Sequence, residues 1–403
     1  MNDTPASDSP TSSSNFSTTN SSAQTGGTAS HAIQCTPVRG WFDRRAFMKL
    51  ERELYVGDPN WVAPLWSERK QLCGFGSHPF YNDAESEAFI ARKNGRVVGR
   101  VVAIINHAHN RHYNEKRGFF GFFECIDDVD VSRSLFDAAV KWLGQNGMTD
   151  VRGPVNPSLN YEIGLLVEGF DSPPTFLITY NHEYYGRLVE ASGFEQVQDV
   201  YCYEANMDDL ATIDPKLQFV IDEATRRFKV KCRPINPKRF DEDVNSFLKI
   251  YNESLQRTWG YVPMSHAELV HQSKQLKLLI VPELTSIAEI DGEPVGAGFG
   301  LLDFNQILKT MNGHLLPFGW LKLLRGKKKI DRLRLVSTNV LPKYQSWGLG
   351  LVTLARILPD AIDYGIHTGE FSWVLESNRL SRGTIERGGA RRAKTQRIYD
   401  RKI

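Results

Sequence analysis

The chain has 403 residues, of which 41% are hydrophobic and 24% charged, an ordinary composition for a globular protein of two or three domains. Lys and Arg number 49 against 47 Asp and Glu, so the net charge of +2 does not suggest a nucleic-acid-binding protein. The five cysteines are scattered and form no C-x-x-C pair, which argues against a disulfide scaffold or a zinc site and favours a reducing compartment.

The N-terminal segment, residues 1–36, is rich in Ser, Thr and Asn and has few large apolar side chains. It can bury little surface to offset the entropy of ordering, so we predict a disordered tail. The segment lacks the apolar core of a secretory signal, and no later stretch approaches 18 uninterrupted apolar residues. These features predict a cytoplasmic protein without a membrane span.

The elements predicted after the tail follow one order. Helical spacing over Trp41–Tyr55 is followed by a hairpin over Ser86–Asn106, with its turn at Lys93–Gly95. The remaining elements of this half are a strand at Gly118–Ile126, a helix at Val131–Gly147, a strand at Val151–Asn156, a helix at His182–Phe194 and a strand at Val197–Ala205. The last of these alternates like a strand at the edge of a sheet.

The second part of the chain repeats this order. Its predicted elements are a helix at Asp243–Leu255, a hairpin at Ser286–Asp303, a strand at Leu333–Val340, a helix at Leu351–Tyr364, a strand at Phe371–Leu375, a helix at Asn378–Gly388 and a strand at Arg391–Lys402. We therefore predict an α/β fold with a mixed sheet, built from two copies of one unit at residues 37–208 and 215–403.

The turn after Leu333–Val340 carries the pattern Q-x-x-G-x-G, from Gln345 to Gly350. Glycines let the backbone approach a phosphate closely, and the start of the following helix offers aligned N–H donors and a positive dipole end. The same glycine pair also occurs in plain strand-to-helix turns, so the motif alone leaves both interpretations open.

The unit order and this turn together resemble the GNAT acyltransferase superfamily, whose members bind coenzyme A at such a loop. Asn378 and Gly389 fit the spacing of a second signature of that superfamily, a strand ending in Asn and a helix ending near Gly. The resemblance implies an acyl-CoA donor and no metal. It assigns cofactor binding to Val340, Leu341, Gln345, Ser346, Trp347, Gly348, Leu349 and Gly350.

The chain departs from the superfamily pattern at three places. Ile385 occupies the helix position where many members carry a tyrosine as general acid, and Leu333–Val340 contains no carboxylate to act as base. In the first unit, the place of the phosphate loop is taken by Cys125–Leu135, where Asp127, Asp128 and Asp130 would repel a pyrophosphate. We therefore expect that only the second unit binds CoA.

Over residues 37–403 the chain is similar to a group of bacterial tandem-GNAT proteins that includes ceramide synthase-type enzymes. The similarity implies an N-acyltransferase that transfers a fatty acyl group to a sphingoid or other lipid-like amine. Glu376 is the first candidate for the base, and Asn378 would orient the pantetheine arm or a water. The alternatives are a small-substrate N-acetyltransferase and a protein that binds acyl-CoA without catalysis.

Polar residues within apolar runs are candidates for substrate recognition. Glu124, which follows four Phe and Gly residues, is either a base with a raised pKa or a structural acceptor, and Asn160, Glu162 and Asn181 suit an amine or hydroxyl. A cluster of His107, His109 and His112 falls in a predicted hairpin loop without a nearby cysteine, so we predict no metal site.

The segment Asp303–Lys329 is longer than the short turn that a minimal GNAT unit needs at this point. Residues 314–329 combine bulky apolar side chains with a basic end at Lys327–Lys329, a composition typical of a peripheral membrane contact. Core packing with a solvated basic end is an alternative, and a third is that the lysines attract the CoA phosphates.

Overall fold

The structure is a computed structural model that describes residues 32–315 and 319–403. Residues 33–403 form one compact unit. Most of the predicted tail, residues 1–31, lies outside the described residues. Its last residues, however, form strand β1, which pairs antiparallel with the next strand of the sheet from Ile33 opposite Lys93 to Pro37 opposite Phe89.

The first half of the chain contains nine strands and five α-helices among the described residues. The strands are β1 (Ile33–Pro37), β2 (Ala84–Lys93), β3 (Arg96–Asn106), β4 (Arg117–Cys125), β5 (Asp150–Gly153), β6 (Val155–Asn156), β7 (Glu162–Ile163), β8 (Leu165–Glu168) and β9 (Glu195–Asn206). The helices are α1 (Gly40–Leu54), α2 (Trp66–Lys70), α3 (His107–Tyr113), α4 (Val129–Gln145) and α5 (Tyr185–Ala191).

The second half contributes six strands and eight α-helices within the described range. The strands are β10 (Lys231–Arg233), β11 (Thr285–Ile290), β12 (Glu293–Leu302), β13 (Arg332–Val340), β14 (Thr368–Leu375) and β15 (Arg391–Lys402). The helices are α6 (Met207–Ala211), α7 (Pro215–Phe228), α8 (Phe240–Ser254), α9 (His266–Leu276), α10 (Asn305–Leu308), α11 (Gly319–Gly326), α12 (Leu349–Tyr364) and α13 (Arg379–Arg387).

The predicted α/β class and the repeated order of elements are confirmed. In each half a helix is followed by a hairpin, a third strand, a helix, a strand parallel to the third one, a helix and a last strand. The first hairpin closes at the predicted position, where Asn94 has φ of 55° and Gly95 of 77°, the left-handed conformation that Asn and Gly tolerate best.

The two halves share one continuous sheet. Its strand order is β1-β2-β3-β4-β5-β15-β9-β14-β13-β12-β11-β10, and β8 also pairs with β15. The last strand of each half is therefore exchanged, because β15 pairs with β5 of the first half while β9 pairs with β14 of the second half. The prediction of β9 as an edge strand is wrong, since β9 lies between β15 and β14 at the centre of the sheet.

Helices pack on the sheet over apolar clusters from both halves. In the first half, Leu135, Phe136 and Leu143 of α4 are fully buried in one such cluster, as the apolar face of that helix predicts. The predicted hairpin loop that carries the three histidines is instead helix α3, between β3 and β4. No helix in the described parts of the chain is both long and apolar enough to cross a membrane.

Candidate functional site

The second half contains a slot between two strands. Strands β13 and β14 pair in parallel only from Arg332 opposite Thr368 to Leu335 opposite Phe371. Beyond that point each strand stays bonded to its outer neighbour, β13 to β12 and β14 to β9. The register of β13 against β12 also shifts next to Leu335, which bends the strand away. The inner edges of both strands are therefore free to bond an extended ligand.

Buried polar atoms around this slot lack partners. The Oγ of Ser337, the Nδ2 of Asn339 and the Nε1 of Trp373 are buried without a hydrogen-bond partner in the structure. Thr338 between them is exposed although it lies within the sheet. Native proteins rarely leave buried polar groups unsatisfied, so these atoms indicate a site that a ligand with amide or hydroxyl groups would complete.

The slot leads to the start of helix α12. Gly348 precedes the helix with φ of 79°, and no side chain caps the helix N-terminus. The first N–H groups of a helix have no intrahelical acceptor and carry its positive dipole end, which makes them suitable for a phosphate. Ser346 and Trp347 of the loop are exposed, so this end of the helix is accessible.

Gln345 and Gly348 hold the loop in shape. The Nε2 of Gln345 donates to the carbonyls of Val340, at 3.0 Å, and Ser254, at 2.9 Å. A Cβ added at Gly348 would come 2.3 Å from Cγ1 of Val220 in α7, so this glycine is needed for packing as well as for its backbone conformation. At Gly350 the nearest atom to an added Cβ is Cγ2 of Val340, at 4.0 Å, an ordinary van der Waals contact.

The other loop positions predicted to bind the cofactor have different surroundings. Val340 and Leu349 are buried and belong to the cluster beneath α12, while the Leu341 N–H donates to the Val295 carbonyl at 2.9 Å. The Trp347 ring lies under the guanidinium of Arg227, at 3.9 Å from its centroid. The backbone of this loop, more than these side chains, is what a phosphate would contact.

The corresponding slot of the first half is closed. The Oδ1 of Asn156 accepts from the Phe122 N–H of β4 at 2.7 Å, and a Cβ added at Gly121 would lie 1.8 Å from the Val155 carbonyl oxygen. The N-terminus of α4 is capped by Asp128, whose carboxylate accepts from the N–H groups of Asp130 and Val131. Both features oppose the binding of a phosphate-bearing ligand in this half. The predicted repulsion by the acidic loop remains a prediction, since Asp127 pairs with Arg187 and Asp128 with Lys93.

A cavity of about 100 Å³ lies beside the closed slot. Its walls come from α1, α2, β3, β4, α10 and the segments 61–65, 154–165 and 174–181. Three of the four predicted substrate residues, Glu124, Glu162 and Asn181, line this cavity. The fourth, Asn160, lies outside the cavity wall. Its side-chain amide donates to the Val262 carbonyl and accepts from the Tyr251 hydroxyl.

A network of charges surrounds the buried guanidinium of Arg100, whose side chain is 1% exposed. Arg100 lies opposite Glu124 on the paired strands, with 3.6 Å between the charged atoms, and bonds Glu51 at 2.8 Å. Burial raises the pKa of Glu124 to about 7, although Arg100 opposes that shift. The Tyr185 hydroxyl donates to Glu124 at 2.7 Å, so this carboxylate is held by a side chain and not by loop amides.

A second carboxyl of the cavity is also perturbed. Burial and the charge of Glu162 raise the pKa of Glu68 to about 7. Glu162 itself pairs with Arg69 at 2.9 Å, and Arg69 lies 3.5 Å from Glu51. Asn181 plays a structural part at the rim, where its amide bonds both the N–H and the carbonyl of Leu166.

Four charged residues of the cavity wall were not predicted from the sequence: Glu51, Glu68, Arg69 and Arg100. The sequence does contain one indication of this network, since Arg100 interrupts the apolar run of β3. A charged side chain in such a strand needs a buried partner. Glu51 lies on α1 next to Leu50, and both are buried. Glu68 and Arg69 belong to a polar stretch that carries no comparable signal.

The predicted catalytic residues lie at the end of β14. Glu376 and Asn378 are both exposed. The Oδ1 of Asn378 accepts from the Ser381 N–H and so caps α13, while the backbone of Glu376 bonds Asp199 and Arg382. Ile385, at the position of the missing tyrosine, packs partly buried against the core of the second half.

The histidine cluster shows no shared ligand geometry. His109 is buried 3.6 Å from Glu115, and burial lowers its pKa to about 4. His107 bonds Glu85 at 2.9 Å, and His112 packs edge-on against Tyr113. Within the described ranges, no group of three His, Cys, Asp or Glu residues is arranged to hold a metal ion.

The segment after β12 divides into a packed part and an exposed part. Ile307, Leu308 and Met311 are buried in the core of the second half, while Trp320 is 47% and Leu324 50% exposed. Residues 316–318, which include the predicted contact residue Phe318, lie outside the described residues. The ammonium of Lys327 donates to the Ile280 carbonyl at 2.9 Å, and burial lowers the pKa of this lysine.

The sequence matches no protein-family model. It is 34% identical over 368 residues to Protein YghO of Escherichia coli (strain K12), covering 90% of this chain and 93% of that protein. It is also 34% identical over 389 residues to the bacterial ceramide synthase of Caulobacter vibrioides (strain NA1000 / CB15N), covering 92% and 98%.

Solved structures share the fold at low identity. A tandem GNAT protein from the clavulanic acid biosynthesis pathway matches with a TM-score of 0.53 and 12% identity, covering 92% of this chain and 98% of that one. A GCN5-related N-acetyltransferase from Sphaerobacter thermophilus matches with a TM-score of 0.51 and 12% identity, covering 92% and 95%. The chain therefore belongs to the family that includes YghO and the bacterial ceramide synthase, and it has the fold of the tandem GNAT proteins.

Proposed function

We propose that the protein transfers the acyl group of an acyl-CoA, bound only in its second half, to a lipid-like amine such as a sphingoid base. The observation that carries the proposal is the slot between β13 and β14, which ends at the uncapped start of α12. In the first half, by contrast, the corresponding slot is closed and the helix that follows it is capped, so the same fold has no room for this ligand there.

Different parts of the slot would bind different parts of the acyl-CoA donor. The backbone N–H groups at the start of α12 would bind the pyrophosphate, and the free strand edges would bond the amides of the pantetheine arm. In the reaction, the amine nitrogen would bond the thioester carbonyl carbon, and the C–S bond would then break to release the CoA thiolate. A strand N–H would stabilise the negative charge that develops on the thioester oxygen. Glu376, exposed at the end of β14, is the base proposed to take the amine proton, directly or through water.

The lipid acceptor is supported by the relative named bacterial ceramide synthase and by the exposed part of the segment after β12. Helix α11 presents Trp320 and Leu324 to solvent, and Lys328 and Lys329 follow it, also exposed. Aromatic and aliphatic side chains beside lysines suit the surface of an anionic membrane, at about 1 kcal/mol per lysine. We propose that this face brings the enzyme to the membrane where a long-chain product would reside.

Calorimetric titration with CoA and palmitoyl-CoA tests the donor site. Gly350→Val is the sharpest variant, because its added Cβ makes only an ordinary contact within the protein, so we expect its effect to fall on the ligand. We expect at least a ten-fold weaker CoA affinity with little change in melting temperature. Asp127→Asn, in the corresponding loop of the first half, is the matched control and should bind CoA as the wild type does. Reversed effects of the two variants would move the donor site to the first half.

Thiol release tests the activity. The wild-type protein is mixed with acyl-CoA donors from acetyl to palmitoyl and with a sphingoid base or a short soluble amine. Release that requires a long-chain donor and the sphingoid base supports the lipid reaction. Release with acetyl-CoA and short amines alone would favour a small-substrate N-acetyltransferase. Binding of acyl-CoA without release for any amine would identify a protein that binds the donor without catalysis.

A further inference from the structure

A second cavity lies in the other half of the chain, beside helix α11. It has a volume of about 740 Å³, and its walls come from residues 306–310, from α11 and from residues 329–330, which lead into β13. We call it the α11 cavity. Its volume falls within the range of pockets that bind small molecules. It shares no wall residue with the slot between β13 and β14, so it is a separate candidate site.

The described wall of the α11 cavity carries three cations and no acid: Lys322, Arg325 and Lys329. None of the three forms a hydrogen bond or an ion pair with the described part of the chain. Asp331, the acid nearest to them in sequence, accepts instead from the Gln306 amide at 2.7 Å. The cavity therefore has an excess of positive charge, which an anionic ligand would balance.

The floor of the same cavity is apolar. Ile307 and Ile330 are 9% and 2% exposed, and Leu321 is half-buried. Gly326 lets α11 approach this floor closely, since a Cβ added there would come 2.8 Å from Cδ1 of Ile307. A free phosphate would gain nothing from an apolar floor. Exposed cations above buried aliphatic side chains fit a ligand that joins an anionic head to an alkyl part.

These cations lie too far from the donor site to bind the phosphates of acyl-CoA. Lys329 comes before β13, whereas the loop proposed for the pyrophosphate follows that strand. The 9 residues of β13 span about 30 Å in an extended strand. Lys327, beside the cavity, donates to the carbonyls of Leu278 and Ile280 at 3.3 and 2.9 Å. The anion that fits the α11 cavity is therefore a different molecule from the donor.

We propose that the α11 cavity binds one anionic phospholipid, with the lipid phosphate among Lys322, Arg325 and Lys329. The inference deepens the proposed function, because it rests on the membrane contact of α11. A guanidinium can donate two parallel hydrogen bonds to a phosphate, and the first methylenes of the lipid chains would contact the apolar floor. Trp320 and Leu324 are exposed on the same helix and would enter the bilayer beside the bound lipid. The enzyme would thus recognise an acidic lipid individually, in addition to the charge of the membrane surface.

Calorimetric titration with short-chain, soluble lipids tests the site. The probes are dihexanoyl-phosphatidylglycerol, which is anionic, dihexanoyl-phosphatidylcholine, which has the same chains and no net charge, and glycerol 3-phosphate, which has no chains. The wild type should bind the first probe about ten-fold or more tightly than either of the others. Lys322→Gln combined with Arg325→Gln should remove this preference. Both side chains are exposed, so the melting temperature should not change.

Lys141→Gln combined with Arg96→Gln is the matched control, since it removes the same charges from exposed positions of the first half and should keep the preference. Equal binding of the two lipids, equal binding of glycerol 3-phosphate, or a Lys322 and Arg325 variant that binds as the wild type does would each overturn the inference. The titration contains no acyl donor, so its result is independent of the reaction. Thiol release without a preference for the anionic lipid removes this inference alone. Lipid binding without thiol release for any amine leaves the lipid site standing and removes the proposed acyl transfer.

Discussion

Replacing Glu124 by glutamine is expected to make the protein more stable at neutral pH. The carboxyl is 7% exposed, and burial raises its pKa from 4.5 to about 7. Between these two values the folded protein binds more protons at this group than the unfolded chain does, so stability falls as pH rises. Each pH unit corresponds to about 1.4 kcal/mol, and the loss reaches about 3 kcal/mol above pH 7.

Glutamine has nearly the shape of the protonated acid and never becomes charged. The Tyr185 hydroxyl can still donate to its oxygen. Glu124→Gln should therefore match the wild type below pH 4.5 and exceed it by about 3 kcal/mol above pH 7. Thermal melts at several pH values between 4.5 and 8 measure the difference, with Glu53→Gln as the control.

A Glu124→Gln variant less stable than the wild type at pH 8 would refute this reasoning. It would show that the negative charge itself stabilises the fold through Arg100 and Tyr185, which is the structural role considered for this residue from the sequence.

Three further outcomes can be checked. Glu376→Gln should lower turnover while the dissociation constant for acyl-CoA stays within a few-fold; an unchanged rate in stopped-flow thiol assays would move the search for the base to Glu124 and Glu162. Gly121→Ala should lower the free energy of unfolding by about 3 kcal/mol, because its Cβ would meet a backbone oxygen at 1.8 Å; a denaturation midpoint equal to wild type would show that the strands can part there. Lys328→Glu with Lys329→Glu should reduce flotation with anionic liposomes at low salt; if the wild type never floats, the membrane proposal is dropped.

Local patterns in the sequence predicted much of the fold. The hairpin over β2 and β3 depends on an Asn-Gly turn between apolar runs, and α4 depends on one apolar face, so neighbouring residues suffice to identify both. The loop between Gln345 and Gly350 was recognised for the same reason, since its glycines and the following helix are adjacent in the chain.

Features that depend on distant partners were missed. Nothing within β9 shows that its neighbours are β14 and β15, which follow it by more than 150 residues, so its alternation was interpreted as that of an edge strand. The cavity was missed for the same reason. Its charged residues Glu51, Arg69, Arg100 and Glu124 come from four separate elements. Their charges become a cluster only when the chain is folded.

The exchanged last strands have a consequence for biosynthesis. A ribosome delivers the first half long before β15, so the edge of β5 stays unpaired until residues 391–402 emerge. Open strand edges and late, distant contacts make folding slow and favour aggregation. The nascent chain should thus need protection until β15 has emerged. A product cut short before Arg391 would lack the strand that joins β5 to β9, so the sheet would be divided into two parts, each with an open edge at its centre.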